Sequence, residues 1–291
     1  MPGTERVWAA ESLVYESDAM SVMDSFLLDG RTGIVTGAAG LLGSQFSHVL
    51  AESGANVVLA DLNVKETNRL AESLHEQGIG ALSIGTDVTD PKSVHNMVAT
   101  VLDRFGRVDI LVNSAAEDPK FDTRDQGLLD NAFEGFSLEV WNRALAVNLT
   151  GLFLTSQAVV RPMLEQEGGV IINLCSTYGL VGPDQRIYQQ PGHPKRYKPV
   201  YYSVTKAGVL GLTRYLATYY AGKGIRVNAL TPGGVFSGHD EEFVRQYSAR
   251  TVLGRMARPD ELNAALLFLA SDASSYMTGA NLVVDGGWTA W

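Results

Sequence analysis

A tyrosine and a lysine stand four residues apart in the segment Tyr202-Ser203-Val204-Thr205-Lys206. In a helix this spacing places both side chains on one face, a single turn apart. An ammonium group beside a phenol favours the phenolate, so we expect the pKa of Tyr202 to be lowered towards the range useful for acid/base chemistry. The pair therefore indicates proton transfer by Tyr202.

The same segment also has the Ser203-x-x-Lys206 spacing of acyl-transferring serine enzymes. Such enzymes carry Ser-Asp-Asn and Lys-Thr-Gly motifs further along the chain, and neither occurs here. The neighbouring Tyr201 has no lysine four residues later, so Tyr202 is the tyrosine that the spacing favours.

Three glycines, Gly37, Gly40 and Gly43, recur every third residue after the first β-branched run. Glycines at such a point allow a tight turn and a close approach of the backbone to a pyrophosphate, which then lies at the N-terminus of the next helix. Asp61 ends the following run, where a carboxylate can accept both hydroxyl groups of an adenosine ribose. Together these residues predict a dinucleotide site, with Leu41 and Leu42 in its turn.

Asp61 also predicts which dinucleotide is bound. A carboxylate at this position would repel the additional phosphate of NADP, and neither Leu62 nor Asn63 supplies a compensating positive charge. Lys65 is the nearest basic residue and would weaken the preference if its side chain turned back. The expected cofactor is NAD.

Short β-branched runs alternate with segments of helical apolar spacing throughout residues 26–291, which predicts a single α/β domain. We expect a Rossmann-type, doubly wound parallel sheet of about seven strands with helices on both faces, preceded by an extension at 1–25. The strands are predicted at 34–35, 56–60, 81–84, 110–113, 170–174, 225–229 and 282–284. The helices are predicted at 42–53, 65–77, 92–105, 138–165, 202–221 and 260–269.

The composition excludes several functional classes. The chain has 291 residues, of which 45% are hydrophobic, and a formal net charge of −9. This acidic balance argues against general binding to nucleic acid or to an anionic membrane. Cys175 is the only cysteine, so no intrachain disulfide can form, and the five histidines lack the spacing of a metal site. We expect no metal.

No apolar stretch approaches the length of a membrane span, and residues 1–25 lack the basic start and apolar block of a secretory signal. The sequence therefore predicts a cytoplasmic protein without a membrane partner.

A set of short motifs follows in order between residues 26 and 288. They are Thr36–Gly43, Asp87-Val88, Asn113-Ser114-Ala115-Ala116, Asn148, Ser176, Tyr202-x-x-x-Lys206, Pro232-Gly233 and Val284-Asp285-Gly286-Gly287. This order resembles that of the short-chain dehydrogenase/reductase family, and the motifs together are highly specific. The length and the Val-Asp-Gly-Gly ending are similar to the compact, NAD-dependent oxidoreductases of that family.

The resemblance implies four catalytic residues. Tyr202 would exchange a proton with the substrate oxygen, and Ser176 would form a hydrogen bond to that oxygen. Lys206 would hold the nicotinamide ribose and depress the pKa of Tyr202, whereas Asn148 would support a water-mediated proton relay.

The resemblance also implies that Asp87 and Val88 border the adenine, that residues 113–116 flank the cofactor, and that Pro232 and Gly233 lie near the nicotinamide. With the residues predicted above, the full cofactor-binding set is Gly37, Gly40, Leu41, Leu42, Gly43, Asp61, Leu62, Asp87, Val88, Asn113, Ala115, Tyr202, Lys206, Pro232, Gly233 and Val235.

Two long connections, 117–137 and 183–199, depart from a compact α/β chain and are expected to face the substrate. The second is basic, and we expect either that it contacts another subunit or that Arg186 and Arg196 bind a carboxylate, sulfonate or phosphate of the substrate, beside Ser176 and Tyr178. The run from Ser176 resembles the flagellin-modification branch of the family, which suggests a sugar, sugar acid or polyol.

The expected function is transfer of a hydride between NAD(H) and a secondary alcohol or carbonyl. The spacing of Gly37, Gly40 and Gly43 resembles that of longer family members, so an epimerase or dehydratase that retains NAD is an alternative. A non-catalytic NAD sensor is a third alternative, disfavoured by an intact Ser176, Tyr202 and Lys206. The family resemblance also implies a homodimer or homotetramer formed through the helices at 138–165 and 202–221.

Overall fold

The computed structural model describes residues 21–118, 131–189, 192 and 195–291. Within them, seven parallel strands form one sheet in the order β3-β2-β1-β4-β5-β6-β7. The strands are β1 (Thr32–Thr36), β2 (Asn56–Asp61), β3 (Ala81–Gly85), β4 (Ile110–Asn113), β5 (Gly169–Leu174), β6 (Ile225–Pro232) and β7 (Asn281–Val284).

The helices that connect these strands cover both faces of the sheet. They are α1 (Leu41–Glu52), α2 (Val64–His75), α3 (Pro91–Phe105), α4 (Leu138–Leu145), α5 (Leu152–Glu165), α6 (Val200–Tyr219), α7 (Glu241–Ser248) and α8 (Asn263–Ala270).

Alternation of side chains along the strands builds two separate cores. In β1, Ile34 belongs to the core beneath α3 and α5, whereas Val35 belongs to the core beneath α1 and α8. Ile171 and Ile172 of β5 divide in the same way. A parallel sheet that is buried on both faces is what continuous apolar strands predict. The prediction of a single, doubly wound α/β domain is confirmed.

The helix predicted at 138–165 is continuous but not uniform, because a π-helical turn at Ala146–Gly151 separates α4 from α5. The run of 28 residues is long and apolar enough to cross a membrane, contrary to the expectation that no stretch approaches this length. However, Val159 and Met163 are fully buried in the core. A buried core helix satisfies the same criteria of length and composition, so this run is weak evidence for a membrane span.

One described helix, α7, was not predicted from the sequence. Asp240 caps it, since its carboxylate accepts a hydrogen bond from the backbone of Phe243. Phe243 and Val244 pack against a small aromatic cluster that includes Tyr188, in the connection after β5. The helix has only eight residues, and these tertiary contacts hold it in place.

The glycine turn between β1 and α1 is held by contacts that exclude side chains. Gly37 has a positive φ of 69°, and a Cβ built on it would lie 2.7 Å from the Cα of Ala115, after β4. A Cβ on Gly43 would lie 2.0 Å from the carbonyl oxygen of Gly37. Both contacts are with backbone, so neither residue can be larger than glycine without moving the chain.

Replacing Gly43 tests this close approach. We expect Gly43→Ala to lower the free energy of unfolding by about 3 kcal/mol or more, because the new methyl group overlaps the backbone. Urea denaturation monitored by circular dichroism measures the change. Gly182→Ala is the matched control, since a Cβ there meets no atom within 4 Å, and it should alter stability by less than about 0.5 kcal/mol. Equal stabilities for the two variants would contradict the assigned crowding.

Candidate active site

A cavity of about 820 Å³ opens at the carboxyl edge of the sheet. Strand order reverses between β1 and β4, and ligands of open parallel sheets bind where this reversal occurs. The predicted residues that line the cavity are Gly40, Leu41, Leu42, Ser176, Tyr178, Arg196, Tyr202, Pro232, Gly233 and Val235. Residues predicted separately for cofactor and substrate therefore share one site.

Tyr202 and Ser176 face each other across two elements. Ser176 follows β5 and caps a short 3-10 turn, where its hydroxyl accepts a hydrogen bond from the backbone of Tyr178 at 3.2 Å. Tyr202 lies in the first turn of α6. A hydrogen bond from Ser176 favours the phenolate, but burial raises the pKa of Tyr202 well above its ordinary value. Both groups can contact one substrate oxygen.

Lys206 lies on the same face of α6 as Tyr202, as the spacing predicted. Its Nζ is 5.7 Å from the centroid of the Tyr202 ring and donates a hydrogen bond to the carbonyl oxygen of Leu174 at 2.8 Å. Burial lowers the pKa of Lys206. The predicted depression of the Tyr202 pKa by this lysine is not what the structure shows, because desolvation of the phenol dominates.

Tyr201 is separated from the chemistry, although it adjoins Tyr202. Its ring contacts that of Phe136 at 5.9 Å between centroids and is 2% exposed. Tyr201 is absent from the cavity lining, which includes Tyr202. The choice of Tyr202 from the sequence therefore agrees with the geometry.

Asn148 lies in the π-helical turn and fastens the segment after β4. Its Oδ1 accepts a hydrogen bond from the backbone N–H of Glu117 at 2.6 Å, and its Nδ2 donates to the carbonyl oxygen of the same residue at 3.0 Å. π-Helical turns recur at functional sites. This role is one of positioning; the water-mediated relay through Asn148 stays a prediction.

Asp61 and the glycine turn, which are predicted to bind the adenosine end of a dinucleotide, are joined by a hydrogen bond. One carboxylate oxygen of Asp61 accepts a hydrogen bond from the backbone of Ala39 at 3.0 Å, and the other accepts one from Asn63 at 2.9 Å. Leu62 is 74% exposed beside it. The fixed carboxylate and the tight turn that Gly37 and Gly43 allow fit a dinucleotide.

The residues after β3 and β4 that are predicted to flank the cofactor are held by contacts within the protein. The carboxylate of Asp87 is occupied by Thr89, whose backbone and hydroxyl both donate to it. Val88 would contact a Cβ on Gly151, so it fixes this border of the site against the π-helical turn. The backbone N–H of Ala115 is bound to the hydroxyl of Thr36.

Asn113 does not present its side chain to a cofactor, contrary to a direct binding role. Its Nδ2 donates to Asn173 Oδ1 at 2.9 Å, and its Oδ1 accepts a hydrogen bond from Thr155 at 2.6 Å. Asn173 in turn donates to Thr213 of α6 at 3.0 Å. This buried network joins β4, β5 and the helix that carries Tyr202.

Apart from Tyr178, the sequence did not reveal the aromatic residues in and behind the wall of the cavity. Tyr178 is expected beside the substrate, and its hydroxyl accepts a 2.8 Å hydrogen bond from Tyr188, while burial raises its pKa to about 12. Tyr247 stacks on Trp288 at 4.2 Å between ring centroids and its hydroxyl accepts a hydrogen bond from the backbone of Gly234. These rings come from four separate parts of the chain, so no local spacing indicates them.

The basic connection at 183–199 separates into an outer and an inner part. Arg186 lies outside the cavity lining, with its side chain 83% exposed and paired with Asp184 at 2.7 Å. Its predicted contact with substrate is therefore wrong for this structure. Arg196 lines the cavity and is only 8% exposed, so the inner part faces the site. Residues 190, 191, 193 and 194 lie outside the described residues.

The sequence missed a role for the pair formed by Lys198 and Asp118. Their charged groups are 2.5 Å apart, and the Lys198 Nζ lies 4.0 Å from the centroid of the Tyr202 ring. Nearby, Asn131 donates a hydrogen bond to the carbonyl oxygen of Tyr197. The two long connections thus meet at the site. The opposite charges of Lys198 and Asp118 were the sequence signal that could have indicated this contact. Residues 119–130 lie outside the described part of the chain.

Comparison with known proteins agrees with this geometry. Residues 37–289 match a family model described as "Enoyl-(Acyl carrier protein) reductase". A D-threitol dehydrogenase from Mycolicibacterium smegmatis is 37% identical over 280 residues, covering 94% of this chain and 98% of that protein. A cis-4-hydroxycyclohexanecarboxylate dehydrogenase from Sinomonas cyclohexanicum is 37% identical over 265 residues, covering 89% and 97%.

Among solved structures, a gluconate 5-dehydrogenase from Burkholderia cenocepacia in complex with NADP and tartrate superposes with a TM-score of 0.81. It is 31% identical, and the match covers 93% of this chain and 100% of that protein. The family match spans both the glycine turn and the tyrosine–lysine segment. The chain therefore belongs to the short-chain dehydrogenase/reductase family, whose members are oxidoreductases that use a nicotinamide cofactor.

Proposed function

We propose that this enzyme transfers a hydride between NAD(H) and a secondary alcohol or carbonyl of a small polar compound: a sugar, a sugar acid or a polyol. The observation that carries the proposal is the shared cavity, where Tyr202 and Ser176 face the glycine turn and the segment 232–235. This arrangement supports a role for Tyr202 as acid/base group and for Ser176 as hydrogen-bond donor beside the expected nicotinamide end of a dinucleotide site.

In the oxidation direction, Tyr202 removes the hydroxyl proton of the substrate while Ser176 hydrogen-bonds to the same oxygen. The bound nicotinamide supplies the acceptor for the hydride. Lys206 lies close to the Tyr202 ring, and its proposed role is to bind the nicotinamide ribose. In the reduction direction, Tyr202 returns the proton to the carbonyl oxygen.

The named relatives support a small, polar alcohol as substrate. Two are named for a polyol and for a hydroxylated carboxylic acid, and the solved neighbour is named for gluconate. The cavity combines aromatic walls with Ser176, Arg196 and Lys198, a mixture suited to a hydroxylated compound. The resemblance to the flagellin-modification branch stays a prediction.

NAD is the proposed cofactor because Asp61 occupies the end of β2 as a fixed carboxylate. The extra phosphate of NADP would meet this negative charge. The solved neighbour contains NADP, so the preference of this chain needs its own measurement.

We also propose that the chain forms a homo-oligomer through α5 and α6. These helices expose large apolar side chains, as an interface between copies requires. They are Phe153, Leu164, Val204, Tyr215 and Tyr219.

Tyr202→Phe tests the proton transfer. We expect kcat for alcohol oxidation to fall by at least about 1,000-fold, since the general base is lost while the ring remains. The assay follows NADH absorbance across sugars, sugar acids, polyols and simple alcohols. Tyr201→Phe is the matched control and should retain activity within about twofold. Wild-type NAD binding without net NADH formation on any of these compounds would instead favour an enzyme that returns its hydride.

The pH dependence follows from the burial of Tyr202. Because burial raises the pKa of this phenol, the phenolate is the minor form at neutral pH and its population grows about tenfold per pH unit below the pKa. We therefore expect kcat/KM for oxidation to rise through pH 9, and carbonyl reduction to show no corresponding rise. Initial rates between pH 6 and 10 measure both directions. An oxidation rate already constant above pH 7 would show that the pKa of Tyr202 is lowered rather than raised.

Asp61→Asn tests the cofactor preference. The amide keeps the size of the side chain but removes its charge, so we expect the ratio of kcat/KM for NAD over NADP to fall by about 10- to 100-fold. Steady-state kinetics with both cofactors give the ratio. Asp90→Asn, at the N-cap of α3, is the control and should leave it unchanged. A wild-type enzyme that prefers NADP would contradict the assignment directly.

A further inference from the structure

We propose that Arg196 binds a carboxylate of the substrate, so that the alcohol oxidised by this enzyme belongs to a hydroxy acid rather than to a neutral polyol. This inference rests on the proposed oxidoreductase function and names its substrate class. Arg196 is thereby a specificity-determining residue of the same cavity.

Burial of Arg196 is the first observation. Its side chain lines the cavity with Ser176 and Tyr202, yet the residue is only 8% exposed. The Nε atom is shielded from solvent and has no hydrogen-bond partner. A guanidinium group is always charged, and a buried donor without an acceptor costs free energy. The Nε atom lies against protein, so an anion in the cavity is expected to bind through the two terminal nitrogen atoms of the guanidinium group.

The neighbouring cations already have partners. Lys198 is paired with Asp118, and Arg250 is paired with Asp184 at 2.7 Å. Burial lowers the pKa of His239, so this ring is neutral near pH 7. Among the described residues, no carboxylate forms an ion pair with Arg196. The positive charge left for a ligand therefore resides on Arg196.

The chain around Arg196 is fixed before any ligand binds. The side chain of Gln189 donates a hydrogen bond to the Arg196 carbonyl oxygen. Gln185 both accepts from the backbone N–H of Lys198 at 2.8 Å and donates to its carbonyl oxygen at 3.2 Å. Asn131 secures the carbonyl of Tyr197. Such preorganisation reduces the entropy lost on binding and is typical of a recognition element.

A hydroxy acid offers a different group to each of two parts of the cavity lining. Arg196 can bind a carboxylate through two parallel N–H donors, while Tyr202 and Ser176 receive the reacting oxygen. Asp118 and Asp240 also line the cavity. Their negative charges would repel an anion that bound elsewhere in the cavity than at Arg196. The carboxylate is therefore expected at Arg196 alone.

The test compares matched acid and alcohol pairs: D-gluconate with D-glucitol, and D-threonate with D-threitol. For Arg196→Gln we expect KM for the acids to rise by about 10- to 100-fold, with KM and kcat for the alditols changed by less than about twofold. Arg196→Lys should give an intermediate effect, because lysine keeps the positive charge but lacks the two parallel N–H donors of the guanidinium group. Arg186→Gln, at the exposed arginine of the same connection, is the matched control and should behave as wild type.

A second measurement does not depend on turnover. Calorimetry in the presence of saturating NADH, which cannot react with a hydroxy acid, should show D-gluconate binding to wild type and Tyr202→Phe, and at least tenfold weaker binding to Arg196→Gln. NAD affinity should be the same in wild type and Arg196→Gln, which also shows that both proteins are folded. A loss of NAD affinity in Arg196→Gln would assign the arginine to the cofactor pyrophosphate and overturn the inference.

The two proposals fail in different ways. Tyr202-dependent oxidation of alditols, with acids bound equally by wild type and Arg196→Gln, would overturn the role of Arg196 and leave the oxidoreductase function intact. Acid binding that requires Arg196, without NADH formation from any compound, would contradict the oxidoreductase function while supporting anion recognition by Arg196.

Discussion

Hydrogen bonding between β1 and β4 is the interaction on which the whole site depends. It pairs Thr36 with Asn113, so the glycine turn after β1 and the segment after β4 leave the sheet side by side. Their backbones are then close enough that Gly37 has no room for a Cβ against Ala115. The hydroxyl of Thr36 accepts hydrogen bonds from the backbone of residues 114 and 115, which joins the two segments at the reversal of strand order.

Buried asparagine side chains support the carboxyl edge of the sheet through hydrogen bonds. Asn113 and Asn173 link the ends of β4 and β5, and Thr213 continues the link to α6. Because the network is buried and its amide groups have partners, it is expected to hold the strands and the helix in one arrangement. Ser176 and Tyr202 are carried by β5 and α6, so their separation is set by this polar core.

Two long connections complete the pocket over this rigid edge. Their contact is electrostatic, through Lys198 and Asp118, and it places a cation against the ring of Tyr202. The segment around Arg196 is held by glutamine side chains, whereas Arg186 lies in solvent with Asp184. The sheet thus positions Tyr202 and Ser176, and residues of the connections line the cavity beside them.

The sequence by itself determined what depends on near neighbours. Strand and helix periods, the glycine turn, Asp61 after β2 and the four-residue spacing of Tyr202 and Lys206 were all predictable, because each is a local property of the backbone. Tertiary structure decided the rest. Whether Arg186 or Arg196 faces the cavity depends on contacts across the chain, and so does the pKa of Tyr202. Burial outweighs the adjacent lysine there, since the desolvation of a charge depends on every atom packed around it.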